Sequence, residues 1–161
     1  MHASTRRDLK LGTVAIIAIA ATSFTGQLAT YPNLVPWYAG LSKPSFNPPD
    51  WVFAPTWTSL YALTGFALWR VLRQPASLQR GKVLTLIACM LILNAAWSWM
   101  FFAANSPLLG LINIGPQLAV IFATIAACWR LDRLAALCLL PILGWVAFAA
   151  VLNFSIWSLN G

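Results

Sequence analysis

Residues 37–69 read WYAGLSKPSFNPPDWVFAPTWTSLYALTGFALW, and this stretch organises the rest of the chain. It opens with a loop that holds Pro44, Pro48 and Pro49. Proline fixes φ and restricts the residue before it, so we expect a stiff loop. An apolar segment follows, and Asp50 is suited to cap the first free N–H groups of a helix there. The stretch therefore predicts a rigid cap leading into a helix.

The composition places the chain in a bilayer. Of its 161 residues, 60% are hydrophobic and only 8% are charged. A soluble domain has about 25% charged residues, so this chain has too few to cover a surface that faces water. Its net charge of +7 could suggest nucleic acid. The basic residues flank apolar runs instead of mixing with aromatic residues on a polar face, which indicates membrane topology and excludes nucleic acid.

Five apolar runs are each about 20 residues long or longer, enough to cross a hydrocarbon core of about 30 Å. Backbone groups in lipid must be satisfied internally, and no alternation typical of barrel strands is present, so the runs predict helices. The first run exceeds the apolar core of a signal peptide, so we expect it to be retained as a span. The predicted fold is an all-α integral membrane protein, a five-transmembrane-helix bundle forming a single domain over residues 1–161. Its expected spans are residues 9–30, 51–72, 83–104, 108–129 and 134–159, with the loop 31–50 capping a cavity.

The basic residues predict the orientation. With five spans, nine of the ten lysines and arginines fall on one side of the membrane, and only Lys43 falls on the other. The positive-inside rule then places the N-terminus in the cytoplasm and the C-terminus outside. The nine are Arg6, Arg7, Lys10, Arg70, Arg73, Arg80, Lys82, Arg130 and Arg133.

Three helices each present an aromatic face that also carries a small or amide residue. Residues three, four or seven apart share a helix face. If the three faces converge, they line an apolar cavity suited to a flat aromatic or sterol-like ligand. The alternatives are tight core packing and tryptophan belts at the membrane interfaces. The faces are Trp57, Tyr61 and Gly65; Asn94, Trp97 and Phe101; and Trp145, Ala149, Leu152 and Asn153.

The sequence offers little for catalysis. His2 is the only histidine and lies in the N-terminal tail, so we expect no metal site in the core. There is no pair of carboxylates and no Gly-rich phosphate loop. Three cysteines within apolar runs give no disulfide framework. No cofactor is therefore expected to be required.

Four segments resemble one known family. Residues 37–61 follow WYxxLxKPx(W/F)xPPxWVFxPxWxxLY, and residues 93–102 follow LNxxWxxxFF. The turn between the fourth and fifth helices in bacterial members of that family is similar to WRLDRLAA at residues 129–136. The family's last helix is similar to PILGWVAFAAVLNFSIWSLN at residues 141–160. The chain thus resembles the TspO/MBR family, which includes tryptophan-rich sensory proteins, translocator proteins and peripheral benzodiazepine receptors. The resemblance covers nearly the whole chain and implies a bacterial-type member, without distinguishing an inner from an outer membrane.

The resemblance implies a five-helix bundle, often dimeric, that binds tetrapyrroles such as protoporphyrin IX and synthetic benzodiazepine-type ligands. Haem would lack a buried histidine ligand, so a metal-free porphyrin fits better. The sterol pattern of animal members has Phe154 and Ser158 in place of a tyrosine and a basic residue. Cholesterol binding is therefore expected to be weak or absent. The family's ligand-binding positions match Trp37, Tyr38, Trp51, Trp57, Asn94, Trp97, Trp145 and Ala149.

The resemblance implies a membrane receptor or translocator with a sensory, regulatory or transport role. One alternative is light-dependent porphyrin breakdown, with Trp57 and Trp145 as redox-active aromatic residues. A second alternative is a carrier of lipids or sterol-like small molecules.

Overall fold

The structure is a computed structural model that describes residues 3–161, and over this range the chain is helical without β-strands. The all-α prediction is therefore confirmed. Short 3₁₀ or π turns extend the first and third helices. The α-helices are α1 (Ala3–Thr30), α2 (Asp50–Arg73), α3 (Leu78–Ser98), α4 (Pro107–Leu131), α5 (Arg133–Cys138) and α6 (Leu140–Asn160).

Four segments of the described range are long and apolar enough to cross a membrane: Thr5–Tyr38, Leu78–Ala103, Pro107–Leu131 and Arg133–Asn160. The last of these joins α5 and α6 into one span. Helix α2, which also lies within the described range, is not apolar enough to be counted as a fifth candidate span. The Thr, Ser, Tyr and Trp side chains of α2 keep the mean hydropathy of its most apolar stretch below that of the four spans. The chain is thus an integral membrane protein with four clear candidate spans, where the sequence predicted five.

The two ends of the bundle differ in charge. At one end, Arg73 near the end of α2 pairs with Asp8 near the start of α1, with 3.1 Å between Nε and Oδ1. At the same end, the Gln79 side chain of α3 donates to the carbonyl of Ala127 in α4. We refer to this as the basic end, because it holds nine of the ten lysines and arginines. The opposite end, which contains residues 31–50, is the loop end. Helix α2 therefore runs antiparallel to α1 along the bundle.

Side chains fix where three helices begin. Ser77, Ser106 and Asp132 each accept a hydrogen bond from the backbone N–H three residues later, which satisfies a free donor of the first turn. Helix α2 differs from the prediction. Pro49 is the N-cap, with extended φ/ψ of −56° and 146°, and Asp50 is already helical and makes no capping bond. Its carboxylate still lies in the first turn, where the helix dipole favours negative charge.

The segment 31–50 is less of a loop than the prolines suggested. Tyr31–Asn33 forms a 3₁₀ turn after α1, and within Leu34–Tyr38 the extended backbone of Val35 (φ −130°, ψ 130°) kinks the chain before helical turns resume. Residues 43–49 contain only turns and irregular backbone. The part without helix is thus residues 41–49, which lead into α2, and Pro32 and Pro36 lie in the helical half of the segment.

Apolar side chains from every long helix form the core between the two ends. It includes Ala15 of α1, Leu60 of α2, Met90 of α3, Ile121 of α4 and Ile142 of α6. A second, aromatic cluster lies at the loop end, where α3 and α6 meet the segment that follows α1. This second cluster positions the candidate site.

Candidate functional site

An aromatic cluster, here called the aromatic cap, closes the loop end of the bundle. The ring of Trp97 stacks on Phe101 with centroids 5.0 Å apart and 18° between planes. Trp37 meets Phe101 edge-on at 5.4 Å, and the ring centroid of Tyr38 lies 5.4 Å from that of Phe102. Each such pair contributes about 0.5–1.5 kcal/mol beyond burial of area. The aromatic cap, Trp37, Tyr38, Trp97, Phe101 and Phe102, thus joins the loop segment to α3.

A π turn explains why two consecutive phenylalanines both point inward. Trp99–Ala103 widens the last turn of α3, and Phe101 and Phe102 are 2% and 8% exposed. A regular α-helix places consecutive residues about 100° apart, and a π turn changes that register locally. The helix can therefore bury both rings against Trp37 and Tyr38 while Trp99 faces outward.

Asn153 links three helices beside the aromatic cap. Its side-chain carbonyl accepts a hydrogen bond of 3.1 Å from the indole N–H of Trp97, and its amide donates to the carbonyl of Pro107 at 2.7 Å. The side chain is buried, so each bond avoids leaving a polar group unpaired in the core. Asn153 therefore holds α6 against both α3 and the start of α4.

A second buried amide links α2 to α3. The hydroxyl of Tyr61 donates to Oδ1 of Asn94 at 2.8 Å, and Asn94 is 5% exposed. The two bonds, Tyr61 to Asn94 and Trp97 to Asn153, connect the three aromatic faces that the spacing predicted. The faces on α2, α3 and α6 therefore do converge.

The two deeper tryptophans lie at the edges of this convergence. Trp57 and Tyr61 are 5.3 Å apart between ring centroids, and Trp145 meets Phe53 edge-on at 5.9 Å. Both tryptophans are half-buried and pack against the core. Ala149 is also half-buried, one turn beyond Trp145 on α6. Trp57, Trp145 and Ala149 thus border the convergence of the helix faces, with part of each side chain still accessible.

Trp51 stands apart from the other seven site positions. It lies in the first turn of α2 and is 74% exposed. No close aromatic pairing involves it among the described residues.

Other side chains contribute to the site although they were not among the eight predicted ligand-binding residues. Phe53 and Phe148 border Trp145, one turn from Trp57 and Trp145 in the sequence. Helical spacing could have identified Phe53 and Phe148, because each lies one turn from a predicted tryptophan. It could not have identified Lys43 or Asn160, which contribute through contacts with the loop segment.

The larger of the two cavities described in the structure lies elsewhere. It has a volume of about 590 Å³ and lies between α1 and α2, where it opens outward. None of the eight predicted site residues lines it, although Tyr61 does. At the predicted position, aromatic rings from the loop and from α3 pack against one another. The space under residues 31–50 is therefore filled by the aromatic cap.

Hydrogen bonds hold the loop segment down over the aromatic cap. The backbone N–H of Ser42 donates to Oδ1 of Asn160, and Nδ2 of Asn160 donates back to the carbonyl of Ser42, both at 2.9 Å. The ammonium of Lys43 donates to the carbonyl of Tyr38 at 2.7 Å and lies 4.4 Å from the centre of the Tyr38 ring. We call these hydrogen bonds, made by Asn160 at the end of α6 and by Lys43, the latch of the loop segment.

Replacing Asn160 with alanine is expected to release this latch. Losing two hydrogen bonds of about 1 kcal/mol each should raise the opening equilibrium of the segment around Ser42, and with it the exchange rate, roughly thirtyfold. Hydrogen exchange followed by mass spectrometry measures this for peptides covering residues 39–46. Ser158→Ala is the matched control, because the Ser158 hydroxyl bonds only within its own helix. Equal exchange in both variants would contradict the latch.

No group of three or more metal-ligating side chains occurs within residues 3–161. His2, the histidine considered in the sequence, lies outside the described residues. The three cysteines are free, with Cys89 exposed and Cys128 buried. What the site offers a ligand is therefore aromatic surface, amides and one lysine.

Comparison with known proteins gives a consistent picture. The model of the TspO/MBR family matches residues 13–158. A tryptophan-rich protein TspO of Archaeoglobus fulgidus is 39% identical over 146 residues, covering 91% of this chain and 94% of the relative. The human translocator protein is 34% identical over 139 residues, 85% of this chain and 82% of the relative. A tryptophan-rich sensory protein of Cereibacter sphaeroides is 34% identical over 153 residues, 95% and 93% of the two chains.

Proposed function

This chain belongs to the TspO/MBR family of integral membrane proteins, and on that premise we propose that it is a membrane receptor or translocator that binds tetrapyrroles of the protoporphyrin IX type. The observation that carries the proposal is the convergence of three aromatic helix faces beneath a latched aromatic loop. Large aromatic surfaces with few polar groups suit a flat, apolar macrocycle.

We propose that the ligand enters when the loop segment lifts. The rings of Trp37 and Tyr38 occupy the space above α3 that a bound macrocycle would need. A ligand would replace their contacts while Trp57 and Trp145 stack against it. Asn94 would supply a polar contact, Ala149 would leave room for the ring, and Trp51 would lie at the rim. Breaking of the hydrogen bonds between Asn160 and Ser42 would then be the conformational change. A partner protein would detect this change, or it would allow the ligand to move across the membrane.

We also propose that all five long segments span the bilayer, with the N-terminus in the cytoplasm. The 24 residues of α2 are about 36 Å long, enough to cross the hydrocarbon core of about 30 Å. The C-terminus of α2 lies at the basic end, where Arg73 pairs with Asp8. Its N-terminus, Asp50, follows directly after the loop segment. A fifth span at α2 places nine basic residues on one side, as the positive-inside rule requires.

Lys43 is expected to recognise the carboxylates of the ligand. It is the one basic residue of ten at the loop end, and protoporphyrin IX carries two propionates. Lys43→Gln should weaken protoporphyrin IX binding roughly three- to tenfold, because a charge-assisted hydrogen bond is lost. The affinity for the uncharged dimethyl ester should not fall, because the ester has no carboxylate to lose, and the loss of the Lys43 bonds to the loop can only make opening easier. A titration in the dark measures both.

The control for Lys43 is Lys82→Gln, which removes an exposed lysine at the basic end. It should leave both affinities unchanged. If Lys43→Gln weakened the acid and the ester equally, its effect would be structural, and the proposed role in recognising carboxylates would be wrong.

Two alternatives share the same residues. In a light-dependent porphyrin-degrading enzyme, Trp57 and Trp145 would be redox-active, and porphyrin absorbance would fall under light but not in Trp57→Phe/Trp145→Phe. A carrier of lipids or sterol-like molecules would move them across proteoliposomes without a preference for porphyrin. Binding without light-dependent loss or flux would leave a sensor.

We further propose that the chain is a homodimer that also binds benzodiazepine-type ligands. Haem is a further candidate ligand that fits less well than a metal-free porphyrin, and cholesterol binding is weak or absent.

A further inference from the structure

Three amide side chains are buried in the middle of the bundle, and most of their polar atoms are unpaired. Asn94, Asn113 and Gln117 are 5%, 5% and 3% exposed. Oδ1 of Asn113 has no hydrogen-bond partner within residues 3–161. In the same range Gln117 makes no side-chain hydrogen bond, and Asn94 is bonded only through Oδ1, which accepts from Tyr61. Buried polar groups in proteins are normally paired, so these amides need a partner.

The packing of α3 on α4 places the three amides together. Phe101 and Gly110 are in contact, since a Cβ added at Gly110 would lie 2.9 Å from Cδ2 of Phe101. The two helices run antiparallel, so a step back along α3 matches a step forward along α4. Asn94 comes seven residues before Phe101, and Gln117 comes seven residues after Gly110. Residues seven apart share a helix face, so Asn94 and Gln117 face each other at about the same height. Asn113 lies one turn before Gln117 on the same face of α4.

This height is the middle of the membrane. Gln117 comes ten residues after the start of α4, which places it about 15 Å along a helix that crosses a hydrocarbon core of about 30 Å. Every aspartate, lysine and arginine of the chain lies at one of the two ends of the bundle, so no charged side chain is available to the amides. Lipid offers no hydrogen bonds at this depth. The partner of the amides must therefore be small, neutral and polar.

The mixture of donors and acceptors identifies that partner. The unpaired oxygens of Asn113 and Gln117 accept hydrogen bonds, whereas the amide nitrogens of all three side chains donate them. A metal cation would need more oxygens than these and would be repelled by the N–H groups. An anion would be repelled by the amide oxygens. Water both donates and accepts, and it bridges polar groups that do not reach each other directly.

We propose that Asn94, Asn113 and Gln117 form a binding site for water between α3 and α4, in the middle of the bilayer. The bound water donates to Oδ1 of Asn113 and to Oε1 of Gln117, and it accepts from Nδ2 of Asn94. It thereby links two membrane-spanning helices that lack a direct amide–amide bond at this height. The site does not depend on the proposed tetrapyrrole function, because Asn113 and Gln117 are not among the eight predicted ligand-binding residues.

High-resolution crystallography of the full chain in a lipidic mesophase tests the proposal. We expect density for a water about 2.7–3.2 Å from the amides of Asn113 and Gln117. Asn113→Leu/Gln117→Met keeps the side-chain volumes similar and should abolish this density. Thr124→Val is the matched control on the same buried face of α4, because the Thr124 hydroxyl bonds only to Val120 of its own helix. A direct bond between Gln117 and Asn94 without density between them would overturn the proposal, as would density that survives the double variant.

Thermal unfolding gives an independent test. Gln117→Met should lower the melting temperature by about 2–4 °C, because the water and Asn113 lose a partner. Asn113→Leu should do the same, and the double variant should lose less than the sum of the two, because both residues bind one water. If the amides were simply unpaired, removing their polar atoms would raise the melting temperature. A rise in either single variant, or additive losses, would contradict a shared water.

Discussion

Replacing Gly110 with alanine is expected to destabilise the protein by roughly 3 kcal/mol, since it overpacks the core and disturbs a buried hydrogen bond. A Cβ at this position would lie 2.8 Å from Oδ1 of Asn153 and 2.9 Å from Cδ2 of Phe101. Real Cβ atoms do not approach that closely, so Asn153 or Phe101 must move. Asn153 accepts the indole N–H of Trp97, and Phe101 stacks on the same indole. One methyl group thus disturbs the junction of α3, α4 and α6.

Gly115→Ala is the matched control on the same helix. Outside its two chain neighbours, no atom lies within 4 Å of a Cβ added there. The better helix propensity of alanine is offset by the restriction that Pro116 places on the preceding residue, so the change in stability should stay within about 1 kcal/mol. Thermal unfolding in detergent, followed by circular dichroism, compares the two. A melting temperature for Gly110→Ala equal to or above that of Gly115→Ala would show that the junction is not tightly packed.

Replacing Asp132 with asparagine is expected to destabilise the protein by about 2–3 kcal/mol, because it leaves a partly buried arginine without its counter-ion. The Asp132 side chain is 4% exposed and accepts from Nε of Arg70 at 2.9 Å. It also accepts from Gln74 and from the backbone N–H of Ala135. Asparagine can still cap the helix that follows, so the variant isolates the loss of charge.

Asp8→Asn is the control for Asp132. Its pair with Arg73 has side chains 38% and 44% exposed, and such surface pairs contribute about 0–1 kcal/mol. Unfolding in sodium dodecyl sulfate measures both variants under the same conditions. Similar losses for the two would contradict the assignment of Asp132 as the principal electrostatic contact of the basic end.

The same contact predicts a dependence on pH. Burial raises the pKa of Asp132, but hydrogen bonds from Arg70, Ala135 and Gln74 and the charge of Arg70 outweigh burial and lower the pKa below its ordinary value of 3.8. A carboxyl group with a lowered pKa stabilises the folded state fully above its unfolded pKa. Stability should therefore fall as the pH drops from about 4 towards the lowered pKa. Asp132→Asn should lose this part of the acid sensitivity.

Much of the architecture could be predicted from the sequence, because the bilayer constrains it strongly. Apolar length and composition predicted helices whose ends lie within about six residues of the observed ones, although the last predicted span is divided into α5 and α6. The helix start near Asp50 was predicted, but its cap was assigned to the wrong residue. Pro49 already has the extended backbone that an N-cap needs, so the helix begins one residue earlier than a capping Asp50 would allow.

The site was harder to predict, because long-range contacts decide it. Helical spacing placed Asn94 and Trp97 on one face, and both make bonds to other helices. Spacing could not show that a π turn would bury Phe101 and Phe102 together, since local backbone geometry sets that register. Nor could it show that Asn160 would hold Ser42, 118 residues away in the sequence. Trp51 looked like its neighbours in the sequence but lies exposed.

The central claim is that the converging aromatic faces form a ligand site, and a titration with protoporphyrin IX in the dark tests it most directly. Tryptophan fluorescence of the purified protein is followed beside Trp57→Phe/Trp145→Phe. The control is Trp99→Phe/Trp129→Phe, which removes two tryptophans that are each 47% exposed. Replacing two indoles with smaller phenyl rings reduces the stacking area, which should weaken binding roughly tenfold in the first variant and leave the control near wild type. Quenching that never saturates, or equal affinity in all three proteins, would mean that the porphyrin only partitions into detergent and that the faces are core packing.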